Sequence, residues 1–189
     1  MNLGETFYTQ KELETFGFKK LGKNVQIKKN TTIVSTENIS VGDNTRIDDY
    51  CVLTAQKSLI IGSYGHICSH TIIRAHENVT IGDFDNLGNR VVLISRTDDF
   101  SGDYLGGPMV PKSIDITKPY GGPVTINDHV WVGIGGVILP NCTINEGTAV
   151  GALSLVNRDL KEWRIYLGNP VREIKHRNKR ILDLEKKLK

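Results

Sequence analysis

The sequence predicts an all-β fold wound as a parallel β-helix of hexapeptide repeats, and three observations carry that reading. Aliphatic-Gly pairs recur at a twenty-residue interval: Leu21-Gly22, Val41-Gly42, Ile61-Gly62 and Ile81-Gly82. Within each interval aliphatic residues follow at six-residue steps, as in Leu21, Ile27, Ile33; Val41, Ile47, Leu53; Ile61, Ile67, Ile73; and Ile81, Leu87, Leu93. Each interval is thus three hexads plus two residues. A second run, Ile126, Val132, Ile138, Ile144, Val150 and Val156, keeps the hexad without the extra pair. A period of six fits neither an amphipathic helix nor an alternating strand, and it belongs to the parallel β-helix.

Side-chain chemistry agrees with the period. Position i is a large aliphatic that fills a prism interior. Position i−2 also points inward but must be small where the chain turns, and it holds Val25, Thr31, Thr45, Cys51, Gly65, Thr71, Val91, Val130, Gly136, Cys142, Thr148 and Ser154. Gly and Asn gather at Gly42-Asp43-Asn44 and Asn127-Asp128, where corners call for φ > 0. A sandwich of short strands would show irregular spacing instead.

The elements follow in order. Residues 1–20 form an N-terminal cap in which 8–16 is a short helix: Thr9 with Glu12 makes a capping box, and Leu13 and Phe16 are spaced to cover an apolar end. Residues 21–160 are the prism. Within it 97–123 holds four of the six prolines and no hexad, so it leaves the wall as an excursion of the kind that is usually functional. From Asn157 the hexads fade, and residues 161–189 are an extension whose Ile174, Ile181, Leu182, Leu184 and Leu188 have helical spacing, which predicts a C-terminal helix lying on the prism. Six coils at a strand spacing of ~4.8 Å would stand roughly 25–30 Å tall. Their flat, partly apolar outer faces predict self-association as a homotrimer.

Composition narrows the partners. The 189 residues carry a net charge of +3, with Lys and Arg dense in 172–189. That excess suits an anionic small ligand better than a nucleic acid. No apolar run approaches the ~18 residues of a membrane span and the N-terminus lacks a signal pattern, so a cytoplasmic location is expected. Of three cysteines, Cys51 and Cys142 fall at inward positions and Cys68 outward, so no disulfide framework is implied.

The stretch from His129 to Ile174, HVWVGIGGVILPNCTINEGTAVGALSLVNRDLKEWRIYLGNPVREI, carries Trp-aliphatic-Gly, Ile-Leu-Pro, Gly-Ala-x-Ser and Gly-x-Pro elements in this order. On these motifs the chain resembles the hexapeptide-repeat acyltransferases of the left-handed β-helix class, and is similar to galactoside and maltose O-acetyltransferases. The segment DDFSGDYLGGPMVP is similar to a subset that includes nucleotide-linked amino-sugar N-acyltransferases. The resemblance implies direct transfer of an acyl group, acetyl above all, from acetyl-CoA or another acyl-CoA to a sugar or nucleotide-linked amino sugar. It implies no metal and no nucleic acid, and a place in bacterial surface polysaccharide biosynthesis. Carried over by position, the coenzyme A groove falls on Trp131, Gly133, Gly151, Ala152, Ser154, Asn157, Arg158, Arg172 and Lys175. Small residues admit the pantetheine arm, and the cations suit its phosphates. Asn157-Arg158 departs from the Thr-Lys that relatives often carry.

On the acceptor side, galactoside and maltose enzymes place a general-base His at the start of the excursion. Here Arg96-Thr97-Asp98-Asp99 stands instead. A hydroxyl needs a base during attack, whereas a neutral amine is already nucleophilic, so the sequence tilts toward an amine acceptor with Asp98 and Asp99 as leading carboxylates and Asp103 behind them. Tyr104, Leu105 and Pro108 are candidates for sugar or base contacts. By alignment with the family, His66 and His76 fall at acceptor-binding positions, and His66 is a candidate relocated base for hydroxyl transfer. The oxyanion is expected on a backbone amide between Gly133 and Gly136. Two rival classes share the architecture: a γ-class carbonic anhydrase-like metalloenzyme, invited by His66, His70 and His76, and a non-catalytic scaffold. Cys68 reads as a spectator, and His129 and His176 as surface residues.

Overall fold

A computed structural model of the chain describes residues 6–107, 109–110 and 116–188. Three parallel sheets form the walls of a prism, and successive coils add one strand to each. The first wall stacks Lys20–Leu21, Ile39–Val41, Leu59–Ile61, Val79–Ile81, Val124–Ile126 and Cys142–Ile144. The second begins Gln26–Ile27, Arg46–Ile47, His66–Ile67, Asn86–Leu87, Trp131–Val132 and Ala149–Val150. The third runs from Thr32–Val34 to Leu155–Val156. Six coils therefore complete all three walls, as the sequence predicts.

Register is in phase throughout. Ile47 pairs with Ile67, Leu87 with both Ile67 and Val132, and Leu93 with both Ile73 and Ile138, so every hexad aliphatic sits above the next inside the prism. The hexad positions from Val41 to Val156 are all buried, and so are the small inward residues Thr45, Cys51, Thr71, Thr148 and Ser154. Non-glycine residues adopt φ > 0 at the corners, including Asn24, Asn44, Tyr64, Phe84 and His129 in one column. Stacked rings lower that strain's cost: Tyr64 lies 4.8 Å from Phe84, and Phe84 5.1 Å from His129.

Both ends are closed. Helix α1, Gln10–Glu14, has the predicted capping box and drives Leu13 fully into the first coil. Phe16 departs from expectation: it stays 37% exposed and packs edge-on against Tyr8, which shares the end-covering work with Phe18. At the other end the fold continues past residue 160. Arg164–Leu167 adds a seventh parallel strand to the second wall, and Arg172–His176 returns antiparallel beside it. Residues 172–176 are thus strand where helical spacing was expected, and among the described residues of the extension only Arg180–Glu185 forms a helix, α2. The reason is packing. Leu160, Trp163, Tyr166 and Val171 are buried across the open end, and a strand is needed to hold them there.

The excursion leaves the third corner of the fourth coil. Its stem is a short antiparallel pair, Arg96–Thr97 against Tyr120–Gly121. Pro108 lies outside the described residues. No helix among the described residues is long and apolar enough to cross a membrane.

Candidate active site

Two surfaces carry the residues singled out in the sequence. The first is a groove of about 310 Å³ down the second wall, lined by Asn86, Gly88, Trp131, Gly133, Gly151 and Ile165 among others. Parallel register makes it: outward positions on one row are Asn86, Trp131, Ala149 and Ile165, and the next row is Gly88, Gly133 and Gly151. Absent side chains open the groove to the backbone. A Cβ at Gly133 would come within 2.6 Å of the Ala152 amide nitrogen, and one at Gly151 within 2.4 Å of Leu167. Below it, Lys175 pairs with Ile165 and Arg172 with Leu167, so two cations lie at the closed end of the same wall. Trp131 is 54% exposed at the edge of the groove, with the Arg177 guanidinium 5.5 Å from its ring.

Other predicted groove residues are placed elsewhere. Ser154 is buried, and its hydroxyl accepts a hydrogen bond from the Gly168 amide at 3.0 Å, so its role in one chain is to hold the last turn. Asn157 and Arg158 follow the last strand of the third wall, and Arg158 donates to the Val171 carbonyl at 2.8 Å. Ala152 is exposed at the corner after Gly151. The amides of Gly133, Gly135 and Gly136 already donate to the carbonyls of Val150, Asn89 and Gly133. Within the expected segment that leaves the Ile134 amide, whose nitrogen would lie 2.9 Å from a Cβ on Gly88, without a backbone acceptor among the described residues.

The second surface is a cleft of about 460 Å³ where the excursion meets the third corner, lined by Arg74, His76, Arg96, Asp98, Gly107 and Thr117 among others. Glu77 ties the corner together by pairing with both Arg96 and Lys57. Burial lowers the pKa of His76, and the adjacent Arg96 and Arg74 charges lower it further, so the ring is neutral near pH 7. Its Nδ1 is buried with no hydrogen-bond partner among the described residues, an orphan that a bound group can satisfy. Asp98 is exposed and lines this cleft together with the two arginines and His76. Asp99 behaves differently: its carboxylate accepts from the Ser101 amide at 3.0 Å and hydroxyl at 2.6 Å, which turns the loop. The Asp103 amide donates to the Ser101 hydroxyl at 3.1 Å, and Tyr104 lies 5.3 Å from the Lys118 ammonium.

His66 lines neither surface but continues the groove's outward row beside Asn86, in a cleft of about 470 Å³ that it shares with Asn86 and Trp131. It stands on the upper second wall with Nε2 2.8 Å from Asp48 Oδ2. His70 stacks on Tyr50 at 5.0 Å, and His76 lines the cleft, so the three histidines do not converge within the chain. His129 corrects the surface assignment: it is only 7% exposed, stacked on Phe84, with Nε2 3.0 Å from Glu185 of α2. His176 is exposed, as expected. A further cleft, about 570 Å³ at the closed end between Lys161, Arg164, His176 and Lys179, contains none of the predicted site residues.

Sequence reasoning missed Asp85. It occupies an inward i−2 corner, 1% exposed, where burial pushes its carboxyl up to about 8. Oδ1 accepts from the Val130 amide at 2.7 Å while Oδ2 has no partner among the described residues. A charged residue in a column of Val, Thr and Gly was the available signal.

A prism of hexad coils with a glycine-lined outer groove and one polar excursion defines the class: a hexapeptide-repeat acyltransferase. No protein-family model matches the chain. The dTDP-4-amino-4,6-dideoxy-D-glucose acyltransferase of Escherichia coli is 38% identical over 175 residues, 92% of this chain and 90% of that protein. The chain belongs to the family of that acyltransferase. Among solved structures it is similar to AntD, an N-acyltransferase from Bacillus cereus in complex with dTDP and 3-hydroxybutyryl-CoA, at TM-score 0.93 and 41% identity, covering 98% of this chain and 97% of that one. A maltose O-acetyltransferase from Clostridium difficile 630 shares the fold, at TM-score 0.61 and 24% identity, covering 90% of this chain and 75% of that one. Membership in an acyltransferase family displaces both rival classes.

Proposed function

We propose that this enzyme N-acylates a nucleotide-linked amino sugar, a dTDP-linked 4-amino-4,6-dideoxyhexose in particular, using acetyl-CoA or a related acyl-CoA. The observation that carries the reading is the cleft at the third corner. It offers a carboxylate, Asp98, in a lining shared with Arg74, Arg96 and the neutral His76. The arginines suit a diphosphate, and Asp98 suits an amine that it orients and relieves of a proton late in attack. The names of the E. coli relative and of AntD support the substrate class.

The amine nitrogen attacks the thioester carbonyl, a C–N bond forms as the C–S bond breaks, and coenzyme A leaves as thiol once it takes up a proton. The amine's lost proton passes to Asp98. No acyl-enzyme intervenes. The Ile134 amide holds the tetrahedral oxyanion, the Gly88-Gly133-Gly151 row takes the pantetheine arm, and Arg172 and Lys175 meet the phosphates. Asn157 and Arg158, on another wall of the same chain, reach such a groove only from a second copy. The third wall's outward row of Val52, Ile72, Val92, Val137 and Leu155 is apolar and incompletely covered, which supports a homotrimer with shared sites. A cytoplasmic enzyme of surface polysaccharide biosynthesis fits these substrates.

A second reading rests on one contact. The His66–Asp48 pair at 2.8 Å has the base-and-orienter geometry that hydroxyl transfer needs. Free-thiol release from acetyl-CoA separates the two, with dTDP-linked amino sugars tested beside galactosides and maltose in wild type, Asp98→Asn and His66→Ala. Turnover confined to amino sugars and lost with Asp98 supports N-acylation. Turnover on plain hydroxyls that is lost with His66 makes it an O-acetyltransferase.

A further inference from the structure

Above the glycine row, the same wall changes character. Parallel register sets Arg46 beside His66, and one step further Asp48 beside Cys68, so a carboxylate, an imidazole and a thiol share an outer patch of two adjacent coils. His66 Nε2 lies 2.8 Å from Asp48 Oδ2 and 3.8 Å from Cys68 Sγ, and one donor atom from each of the three residues falls within 4.8 Å of the other two. We propose that this patch is a site for a thiophilic divalent cation of the zinc class, held by Asp48 Oδ2, His66 Nε2 and Cys68 Sγ, with a fourth position for water.

Three features argue for it. Tetrahedral bonds of about 2.0–2.3 Å set neighbouring ligand atoms roughly 3.3–3.6 Å apart. The observed 2.8 and 3.8 Å fall on either side of that range, and the third pair, Asp48 Oδ2 with Cys68 Sγ, lies within 4.8 Å, so side-chain rotation can bring the three atoms around one ion. The donor set also selects, because thiolate with imidazole favours zinc-like ions over magnesium or calcium. Finally, Arg46 Nε holds Asp48 Oδ1 at 2.8 Å, which orients the carboxylate and leaves Oδ2 for the ion, a supporting contact typical of built metal sites.

Protonation fits the same scheme. Burial would raise the Asp48 pKa, but hydrogen bonds from His66 and Arg46 outweigh it and keep the carboxylate ionised. Burial and the Asp48 charge hold Cys68 as a thiol in the metal-free protein. Binding therefore releases the thiol proton to solvent and requires the imidazole to offer Nε2 as a lone pair. The ion takes no part in the N-acylation described above. Its consequence is to occupy His66 and so to remove the base that hydroxyl transfer would require.

The test is a cobalt titration of untagged, chelator-stripped protein. A thiolate-to-cobalt charge-transfer band with the visible bands of four-coordinate cobalt should saturate at one ion per chain and vanish on addition of zinc. Cys68→Ser should abolish the charge-transfer band. Asp48→Asn should keep the band but weaken binding at least about tenfold. Cys142→Ser, in the sixth coil, should alter neither. Absence of the band in wild type, or its survival in a Cys68→Ser variant whose circular dichroism matches wild type, overturns the assignment.

Discussion

The early coils and the closing coils of one prism differ by two residues per turn. From Ile33 to Val41, Leu53 to Ile61 and Ile73 to Ile81 the step is eight, whereas from Ile138 to Ile144 it is six. All of the surplus falls at the third corner. There the early coils bulge enough to carry Lys57, His76, Glu77 and the root of the excursion, while the closing coil turns through Pro140 and Asn141 with nothing to spare. The inward aliphatic ladder is unaffected, because the added residues lie between strands. On the function proposed above, coil length separates two tasks: a widened corner supplies charged groups for the acceptor, and tight, glycine-bearing coils supply a smooth wall for a thin cofactor arm.

The sharpest way to break that division is Asp98→Asn. If the wide corner serves the acceptor, kcat/KM for a dTDP-linked amino sugar should fall by about 10²–10⁴, the range for losing a positioned acid-base group. The thermal shift given by coenzyme A should remain. A variant that loses coenzyme A binding as well would collapse the distinction.

Asp85, at an inward corner on the other side of the prism, tests whether polar groups are tolerated away from the widened corner. Its folded pKa of about 8 exceeds its unfolded value near 3.8, so folding favours the protonated form. This contribution is complete below about pH 4 and is lost as pH rises through about 8. Asp85→Asn removes the titration, so its stability relative to wild type should climb across that window by on the order of a few kcal/mol. Parallel denaturation profiles at every pH would contradict the assignment.

On the tight-coil side, Gly151→Val should narrow the groove. Leu167 is the neighbour that must move, and it is 49% exposed and free to do so. The KM for acyl-CoA should rise about tenfold, equivalent to about 1.4 kcal/mol, with the acceptor KM unchanged. An acceptor effect of equal size would show that the two surfaces are one. The smallest effect is expected far from both: Thr9→Ala removes a helix cap and should cost about 1 kcal/mol in urea unfolding without changing kinetics.

The same contrast explains what the sequence made legible. Ile47, Ile67 and Leu87 announce the prism because each coil repeats one burial requirement, and a repeated constraint leaves a periodic trace. The glycine row was readable for a related reason, since parallel register converts spacing into adjacency. Asp98 and His76 were identified singly, but their common cleft depends on how the excursion folds back, which no period encodes. Asp99 could not be told from Asp98 by type, because only the Ser101 contact shows that its carboxylate is engaged. The strand at Arg172–His176 was hidden because its residues are all exposed, and the structure is dictated by the neighbours it holds in place.

That returning strand has a consequence for the chain as a material. A stack of parallel coils ends in unpaired backbone donors and acceptors, and each such rim is a template on which another molecule's coil can grow. Here the upper rim is occluded by α1 and by a bridge from Phe7 to Lys28. At the lower rim of the second wall the last strand runs in the reverse direction, so its hydrogen-bonding pattern cannot accept a further coil in phase. The direction of five residues is therefore a terminator, and it keeps a fold with the geometry of a fibre from becoming one.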